Sequence, residues 1–259
     1  MIITIESRSN DKIKTAQKLA SSSRFRNERR EFFLEGARLC YDAAVSGIRI
    51  KQVFFTDSCL GKYPDKLEKI TAKADEKYKI GRDVASKLAD TQSAQGVFAV
   101  CEMPPEGEKK IDPNGKYIFL ENIQDPANLG ATARTAEALG IDGAVLCGCC
   151  DVYNPKAQRA AMGSLLRLPL IFTDDAVRTL GECNENGMLT LAAVPDAKAE
   201  RITDADFSGG VIAVIGNEGN GVTDETMSVC RRVTIPMKGR AESLNASMAA
   251  ALVMWEMMR

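Results

Sequence analysis

Residues 117–147, YIFLENIQDPANLGATARTAEALGIDGAVLC, contain the pattern that decides the fold. The apolar segment YIFL is followed by a helical segment, which Pro126 and Asn128 introduce and Gly140 ends, and then by the apolar segment GAVLC. Proline and asparagine favour helix starts, and glycine favours helix ends. Two short apolar strands joined by a helix predict a parallel β-α-β unit.

The same alternation continues to the C-terminus. The apolar segments LPLIF, MLTLAAV, GGVIAVIGN and RVTIPM are separated by helical ones, and a long apolar helix ends the chain. Strands that are covered on both faces have continuous apolar sequences. We therefore predict an α/β fold with a mostly parallel sheet and helices on both faces. Upstream, helical segments near 9–20 and 34–46 alternate with the strand-like IKQVFFT and VFAV, which predicts a smaller α/β domain.

Residues 104–116, PPEGEKKIDPNGK, separate the two regions, because proline, glycine and charge accumulate there without apolar periodicity. The predicted organisation is a first domain over 1–106, a linker over 107–116 and a second domain over 117–259. No apolar run approaches the roughly 18 to 20 residues of a membrane span, and the N-terminus lacks the features of a signal peptide. We expect a cytoplasmic protein that does not contact a membrane.

The sequence contains no histidine. This excludes Ser-His-Asp and Cys-His nucleophile arrangements, and every metal site that needs an imidazole ligand. The nearest approach to a metal-binding cluster is Cys147, Cys149 and Cys150, whose spacing is not that of paired C-x-x-C zinc ligands. We interpret them as buried thiols at the end of a strand, in preference to a ligand set.

A cluster of basic residues lies in the N-terminal region. Clustered lysine and arginine suit contacts with nucleic-acid phosphates, although a solvated helix face with acidic neighbours such as Glu28 and Glu31 is the alternative. The cluster contains Arg24, Arg26, Arg29, Arg30 and Arg38, with Lys12, Lys14 and Lys18 in the preceding helical segment.

Three loops that follow predicted strands have unusual compositions. Ligands of open parallel sheets bind beyond the carboxyl ends of the strands, which makes these loops the place to search for chemistry. They are ENIQDPANLG, IGNEGNGV and IPMKGRAESLNAS. The glycines of the second loop are spaced G-x-x-G-x-G, the reverse of the dinucleotide fingerprint, so a tight glycine turn is the alternative to a ligand loop.

Together, these loops resemble a known family. Asn128, Gly130 and Arg134 in NLGATARTAEALG, then GNEGNGV, then IPMKGRAESLNASMA are similar to the three ordered motifs of the SpoU (TrmH) family of ribose 2′-O-methyltransferases, in the SPOUT class. The segment SRSNDKIKTAQKLASSSRFRNERREFFLEGARL resembles the substrate-binding domain of the members that act on ribosomal RNA. The resemblance implies a deep trefoil knot in the C-terminal domain, S-adenosylmethionine as cofactor, and no metal.

The resemblance also assigns site residues. The implied cofactor contacts are Gly216, Ile235 and Leu244, together with Asn217, Gly219 and Met237. The implied catalytic residues are Arg134, Asn128, Glu218, Ser243 and Asn245. Arg134 is expected to anchor the substrate, and Asn128 and Glu218 to orient Arg134 and the ribose; the alternatives are a helix cap for Asn128 and a solvated carboxylate for Glu218. Ser243 and Asn245 are expected to position the substrate and neighbouring catalytic side chains; a cap on the last helix is the alternative for Ser243, whereas Asn245 is expected to have no capping role. The general base is left open.

Members of the family are homodimers, and Met254, Trp255, Met257 and Met258 of the last helix suit such an interface. Burial within one subunit is the alternative. The implied function is S-adenosylmethionine-dependent methylation of a ribose 2′-hydroxyl in structured RNA, with ribosomal RNA preferred. Transfer RNA is the alternative substrate. An RNA-binding protein without catalysis and a nicotinamide-dependent dehydrogenase are weaker alternatives.

Overall fold

The structure is a computed structural model that describes residues 1–90, 94–105, 107 and 109–259. These form two compact units, the first of residues 1–104 and 151–166 and the second of residues 105–150 and 167–259. Residue 106, at the predicted domain boundary, lies outside the described residues. The predicted organisation differs from this division, because it places residues 151–166 in a continuous second domain of residues 117–259. The predicted domains remain a proposal.

The first unit is built on a mixed five-stranded sheet of order β1-β4-β3-β5-β2. The first three strands in this order are parallel, and β5 runs antiparallel to both β3 and β2. In chain order, its elements are β1 (Ile2–Ile5), α1 (Asp11–Ser21), α2 (Ser23–Arg29), β2 (Glu31–Glu35), α3 (Ala37–Val45), β3 (Ile50–Phe55), α4 (Asp57–Lys62), α5 (Pro64–Lys73), β4 (Ala74–Ile80), α6 (Arg82–Leu88), β5 (Val97–Glu102) and, after an insertion, α8 (Pro155–Ala161).

Helices cover both faces of this sheet. Phe33 and Phe98 face α1 and α6, whereas Phe32 and Val97 face α3 and α5. The helix predicted over 34–46 begins only at Ala37, so its first residues were predicted wrongly. Residues 31–35 pair with β5 and are buried throughout, and this pairing overrides their local helical pattern.

The basic cluster of the first unit divides into buried and exposed members. Arg26 is 2% exposed, and its guanidinium contacts Asp151 Oδ2 at 2.6 Å and the Leu19 carbonyl at 2.5 Å. Its inclusion among the phosphate-binding residues is therefore wrong. Arg24 and Arg38 remain exposed, each with an acidic partner one helical turn away.

The second unit contains a seven-stranded sheet of order β10-β12-β9-β11-β6-β7-β8. Every adjacent pair of these strands is parallel, which agrees with the predicted mostly parallel sheet. The elements are β6 (Lys116–Glu121), α7 (Pro126–Leu139), β7 (Gly143–Cys147), β8 (Leu170–Thr173), α9 (Ala176–Glu185), β9 (Leu189–Ala193), β10 (Glu200–Arg201), β11 (Val211–Ile215), α10 (Asp224–Ser228), β12 (Arg231–Thr234) and α11 (Ala246–Met258).

Helices cover both faces of this sheet as well. Tyr117, Phe119 and Val145 pack on α9, and because side chains alternate along a strand, their neighbours face the opposite side. On that side α11 contacts β6 and β11 and also packs against α7. The two helices that carry the first and third motifs therefore lie on one face.

The last helix is apolar around its circumference, but its faces differ in exposure. Met254 and Met257 are fully buried within the unit, so their assignment to a subunit interface is wrong. Trp255 is 57% exposed and Met258 is 38% exposed. Together with Met248 and Leu252 they form an exposed apolar stripe along α11. In the described part of the chain, no helix has the length and apolar character needed to cross a membrane.

Candidate active site

The loops at the carboxyl ends of β9, β11 and β12 surround a cavity of about 380 Å³ in the second unit. The six residues predicted to contact the cofactor all line it, as do Glu218 and Ser243. Apolar side chains form much of the remaining wall, among them Val194, Ile215, Val222 and Met227. The cavity combines an apolar surface with the exposed backbone of a glycine loop, as ligand pockets commonly do.

The glycine loop of residues 216–221 is closed on itself. Asn217 and Gly221 exchange two backbone hydrogen bonds of 3.0 and 2.9 Å, and Asn217 Oδ1 accepts from the Gly219 N–H at 2.9 Å. A Cβ atom on Gly216 would lie 2.1 Å from the carbonyl carbon of Gly221. Glycine is therefore required at 216, because any side chain would open the loop.

Four polar side chains from the three motifs form a hydrogen-bonded group, which we call the polar corner: Asn128, Asn217, Glu218 and Asn245. Asn128 Nδ2 donates to Glu218 Oε1 at 3.0 Å, and Asn245 Nδ2 donates to Asn128 Oδ1 at 3.0 Å. Asn217 Nδ2 donates to the Asn122 carbonyl at 2.8 Å. The first motif is thus bonded directly to each of the other two.

Glu218 accepts hydrogen bonds from several groups of the first loop. In addition to Asn128, the backbone N–H groups of Gln124 and Asp125 donate to its carboxylate at 3.3 and 3.2 Å. Partial burial raises the pKa of Glu218, but the hydrogen bonds from Asn128 and from backbone groups outweigh burial, and the net pKa lies below its ordinary value. A carboxylate with a lowered pKa is a weak proton acceptor, so Glu218 suits orientation better than general base catalysis.

The cap of α11 differs from the prediction. Asn245, not Ser243, is the N-cap residue, and its Oδ1 accepts from the backbone N–H groups of Ser247 at 3.0 Å and Met248 at 3.4 Å. The capping alternative for Ser243 is wrong, and so is the expectation that Asn245 has no capping role. Ser243 is exposed at the cavity, and its hydroxyl bonds no other group in the described residues.

Arg134 lies on α7 outside the polar corner. It follows Asn128 by six residues, which turns the helix by about 600° and separates the two side-chain directions by about 120°. The Arg134 side chain is exposed and makes neither an ion pair nor a side-chain hydrogen bond within the described ranges. In this structure neither Asn128 nor Glu218 holds Arg134. The cap alternative for Asn128 also fails, because Asp125 is the N-cap of α7.

Sequence reasoning missed Glu121, a buried carboxylate at the end of β6. It accepts from the Thr223 N–H at 2.9 Å, the Thr223 hydroxyl at 2.8 Å and the Thr226 hydroxyl at 2.5 Å. Glu121 therefore fixes the chain where the glycine loop ends and α10 begins. The available signal was a lone acidic residue at the end of an otherwise apolar strand. The loop 193–195 after β9, which also lines the cavity, was missed too.

The thiols of Cys147, Cys149 and Cys150 are half-buried at the end of β7 and beyond it. Burial raises the pKa of the Cys149 thiol to about 11, and its Sγ donates to the Leu120 carbonyl at 3.2 Å. Burial also raises the pKa of Cys147. Protonated thiols are poor nucleophiles and poor metal ligands, so the structure gives these two cysteines a packing role.

Comparison with known proteins gives concordant matches. Residues 115–255 match the SpoU rRNA Methylase family, and residues 10–99 match the MRM3-like substrate binding domain. The chain is 29% identical over 265 residues to the 23S rRNA (guanosine(2553)-2'-O)-methyltransferase RlmP of Bacillus subtilis, covering 98% of both proteins. It is 34% identical over 191 residues to the 23S rRNA (guanosine-2'-O-)-methyltransferase RlmB of Acinetobacter baylyi, covering 70% of this chain and 77% of that protein.

Among solved structures, the chain resembles the AdoMet-bound rRNA methyltransferase from Sinorhizobium meliloti. The TM-score is 0.87 at 27% sequence identity, and the match covers 99% of this chain and 97% of that one. The similarity in fold and in sequence therefore extends over both units.

Proposed function

The chain belongs to the SpoU rRNA methylase family, and from this premise we propose that it transfers a methyl group from S-adenosylmethionine to a ribose 2′-hydroxyl of ribosomal RNA. The observation that carries the proposal is the cavity bounded by the loops after β11 and β12. Two of the three family motifs line it, and the third is hydrogen-bonded to its wall.

The residues of the cavity fit S-adenosylmethionine. Ile235, Leu244 and Val222 offer an apolar slot for an adenine ring, and the backbone of the glycine loop offers N–H and C=O groups for its edge. Ser243 supplies a hydrogen-bonding side chain for a more polar portion of the cofactor, and Asn217 holds the backbone of the glycine loop that faces the cavity. The bound cofactor supplies an electrophilic methyl group on a sulfonium.

The chain's own residues position the acceptor. Asn128 and Asn245 are held by the polar corner, and we assign them to orientation of the acceptor ribose. Arg134 is an anchor for an RNA phosphate, since its guanidinium stays protonated and its exposed side chain has no competing partner in the described residues. Ser243 faces the cavity with an uncommitted hydroxyl, which suits a contact with substrate or cofactor.

Ribosomal RNA is favoured over transfer RNA by the extent of the relatedness. RlmP carries a ribosomal RNA activity in its name and matches this chain over 98% of both lengths. The N-terminal region matches a substrate-binding domain, so we propose that residues 1–106 bind RNA and that residues 117–259 form the methyltransferase domain, with a linker between them. The trefoil knot of this domain and a cytoplasmic location are further proposals.

A homodimer is also proposed. The support is the exposed apolar stripe of α11, in which four large side chains follow helical spacing. Trp255→Glu should shift the protein from dimer to monomer in sedimentation velocity experiments, because a buried charge disfavours the interface. An unchanged sedimentation coefficient in a folded variant would place the dimer surface elsewhere.

The proposed function is tested by calorimetric titration with S-adenosylmethionine, with NAD as the control ligand. The same preparation is then assayed for tritiated methyl transfer to ribosomal and transfer RNA fractions. The expected result is binding of S-adenosylmethionine alone, with label in ribosomal RNA that survives alkaline hydrolysis only as 2′-O-methylated dinucleotides. Label in transfer RNA would select the alternative substrate, and absence of binding would overturn the proposal.

A further inference from the structure

The charged side chains that line the cavity are of one sign. Glu218 and Glu242 are both in its wall, and among the described residues no lysine or arginine lines it. Glu218 comes from the glycine loop and Glu242 from the loop before α11. The two carboxylates thus reach the cavity from separate loops.

Neither carboxylate is neutralised by a cation. Glu218 is bonded by uncharged donors, from Asn128 and from backbone N–H groups, and no basic side chain lies within ion-pairing distance of it in the described residues. Glu242 makes no ion pair or hydrogen bond with any described side chain. The pKa of Glu218 lies below its ordinary value, which keeps it charged at neutral pH. The described wall of the cavity therefore carries two carboxylates and no cation, whereas the exposed Lys238 and Arg240 of the same loop as Glu242 lie outside its lining.

The two forms of the cofactor differ by one unit of charge. S-adenosylmethionine carries a sulfonium, an ammonium and a carboxylate, with a net charge of +1 at neutral pH. Methyl transfer breaks the sulfonium C–S bond, both electrons stay on sulfur, and the 2′-oxygen gains the methyl group while its proton is released to the solvent. The remaining S-adenosylhomocysteine is a neutral thioether with a net charge of zero.

We propose that Glu242, together with Glu218, is a specificity-determining residue that makes the cavity prefer the cationic methyl donor over the spent, neutral cofactor. This inference rests on the proposed function and deepens it, because it assigns a role to a residue of the third motif segment to which the resemblance gave none. A negative wall stabilises the sulfonium form and loses that interaction once the methyl group has been transferred. The same potential therefore favours donor binding and product release.

The size of the effect follows from Coulomb's law. A single exposed carboxylate at the wall of a cavity of this size changes the relative affinity for ligands that differ by one charge by about threefold to tenfold. Because Glu242 is exposed, salt screens its part of the potential, and the preference should weaken as ionic strength rises.

The test measures dissociation constants by titration calorimetry for S-adenosylmethionine, S-adenosylhomocysteine and sinefungin. Sinefungin has a protonated amine in place of the methylsulfonium, so it reports charge without a transferable methyl group. The variants are Glu242→Gln and Glu242→Lys, with Glu185→Gln as a control. Glu185 is an exposed carboxylate of the same unit, at the end of α9 and outside the cavity.

We expect Glu242→Gln to weaken both cationic ligands relative to S-adenosylhomocysteine by about threefold to tenfold, and Glu242→Lys to weaken them further. Glu185→Gln should leave the affinity ratios unchanged. If the wild type binds all three ligands and the ratios stay the same in both Glu242 variants, the inference is wrong while the proposed function stands. If the wild type binds none of them, the proposed function fails as well.

Discussion

Two groups of side chains from the same loops and helices differ in their hydrogen bonding. One is the polar corner, and the other, the exposed set, consists of Arg134, Glu242 and Ser243. Each member of the corner donates or accepts at least one hydrogen bond between the motifs or within the glycine loop. The other three side chains are exposed and make no such bond in the described residues. The comparison separates side chains that the site's own hydrogen bonds hold in place from side chains that no such bond holds in the described residues.

This difference has an energetic consequence. Removing a bonded residue leaves its partners unsatisfied and lowers the free energy of unfolding, whereas removing an exposed, unbonded residue changes stability little. Variants of the polar corner should therefore be detected first by unfolding, and variants of the exposed set first by binding or transfer.

The largest effect is expected for Arg134→Ala. Loss of the phosphate anchor should lower the rate of methyl transfer by about 10²-fold, the size expected when a substrate is misplaced by about 1 Å relative to the reacting atoms. The free energy of unfolding and the affinity for S-adenosylmethionine should change little, because the guanidinium makes no bond in the described residues. Single-turnover transfer and calorimetry measure these quantities.

Arg178→Ala is the matched control for Arg134. Arg178 is an exposed arginine on α9 whose one ion-pair partner among the described residues is Glu182 on its own helix. Transfer should be normal in this variant. Full activity of Arg134→Ala would show that Arg134 does not contribute to methyl transfer, and would contradict the proposed difference between the exposed set and the polar corner.

Glu121→Ala tests a residue that is hydrogen-bonded like the polar corner but belongs to none of the three motifs. It should lower the free energy of unfolding by about 3 kcal/mol, because three donors lose a buried charged acceptor. Glu121→Gln should cost less, since the two threonine hydroxyls can turn and accept. Urea unfolding measures both, with exposed Glu185→Ala as the control. Equal stability of wild type and Glu121→Ala would show that the clamp on Thr223 contributes nothing.

How far the sequence predicts the fold depends on the burial of each strand. The central strands β6 and β11 of the second unit are buried and apolar, so the sequence predicts them clearly, whereas the two-residue edge strand β10, of sequence ER, was not predicted. In the first unit, β4 has the sequence ADEKYKI and β1 is exposed at the sheet edge, so neither has a strong pattern. Residues 31–35 were assigned in part to a helix, because only their pairing with β5 distinguishes the two structures.

The candidate site was likewise predicted only in part. The motif residues follow from their resemblance to a family, but their bonds do not, because Asn128 lies 90 residues from Glu218 and 117 from Asn245. The cap of α11 was assigned to Ser243 because serine and asparagine are both favourable N-cap residues and lie only two positions apart. Only the backbone geometry at Asn245 distinguishes them.

The capping result gives the next variants. Asn245→Ala should lower the free energy of unfolding by about 1 to 2 kcal/mol, because α11 loses its N-cap and Asn128 loses a donor. Ser243→Ala should change it by less than about 0.5 kcal/mol, since its hydroxyl is unbonded in the described residues. Thermal and urea unfolding at one protein concentration measure both. Equal losses of unfolding free energy in the two variants would contradict the assignment of the α11 N-cap to Asn245.

Among the variants of the polar corner, the smallest effect is expected for Glu218→Gln, and its pH dependence distinguishes charge from shape. Glu218 is exposed to solvent, so the variant should lose only about 1 kcal/mol at pH 7, where the carboxylate accepts from Asn128 and two backbone N–H groups. The pKa of Glu218 is lowered in the folded protein, so its stabilising contribution is complete above the ordinary carboxyl pKa of about 4.3 and is lost as pH falls through the folded value. The stability difference between wild type and Glu218→Gln should therefore be constant from pH 7 to about 5 and should shrink below that. A difference that stays constant into acid would mean that the amide disrupts the corner by its shape, and that the charge of Glu218 does not hold the first motif to the second.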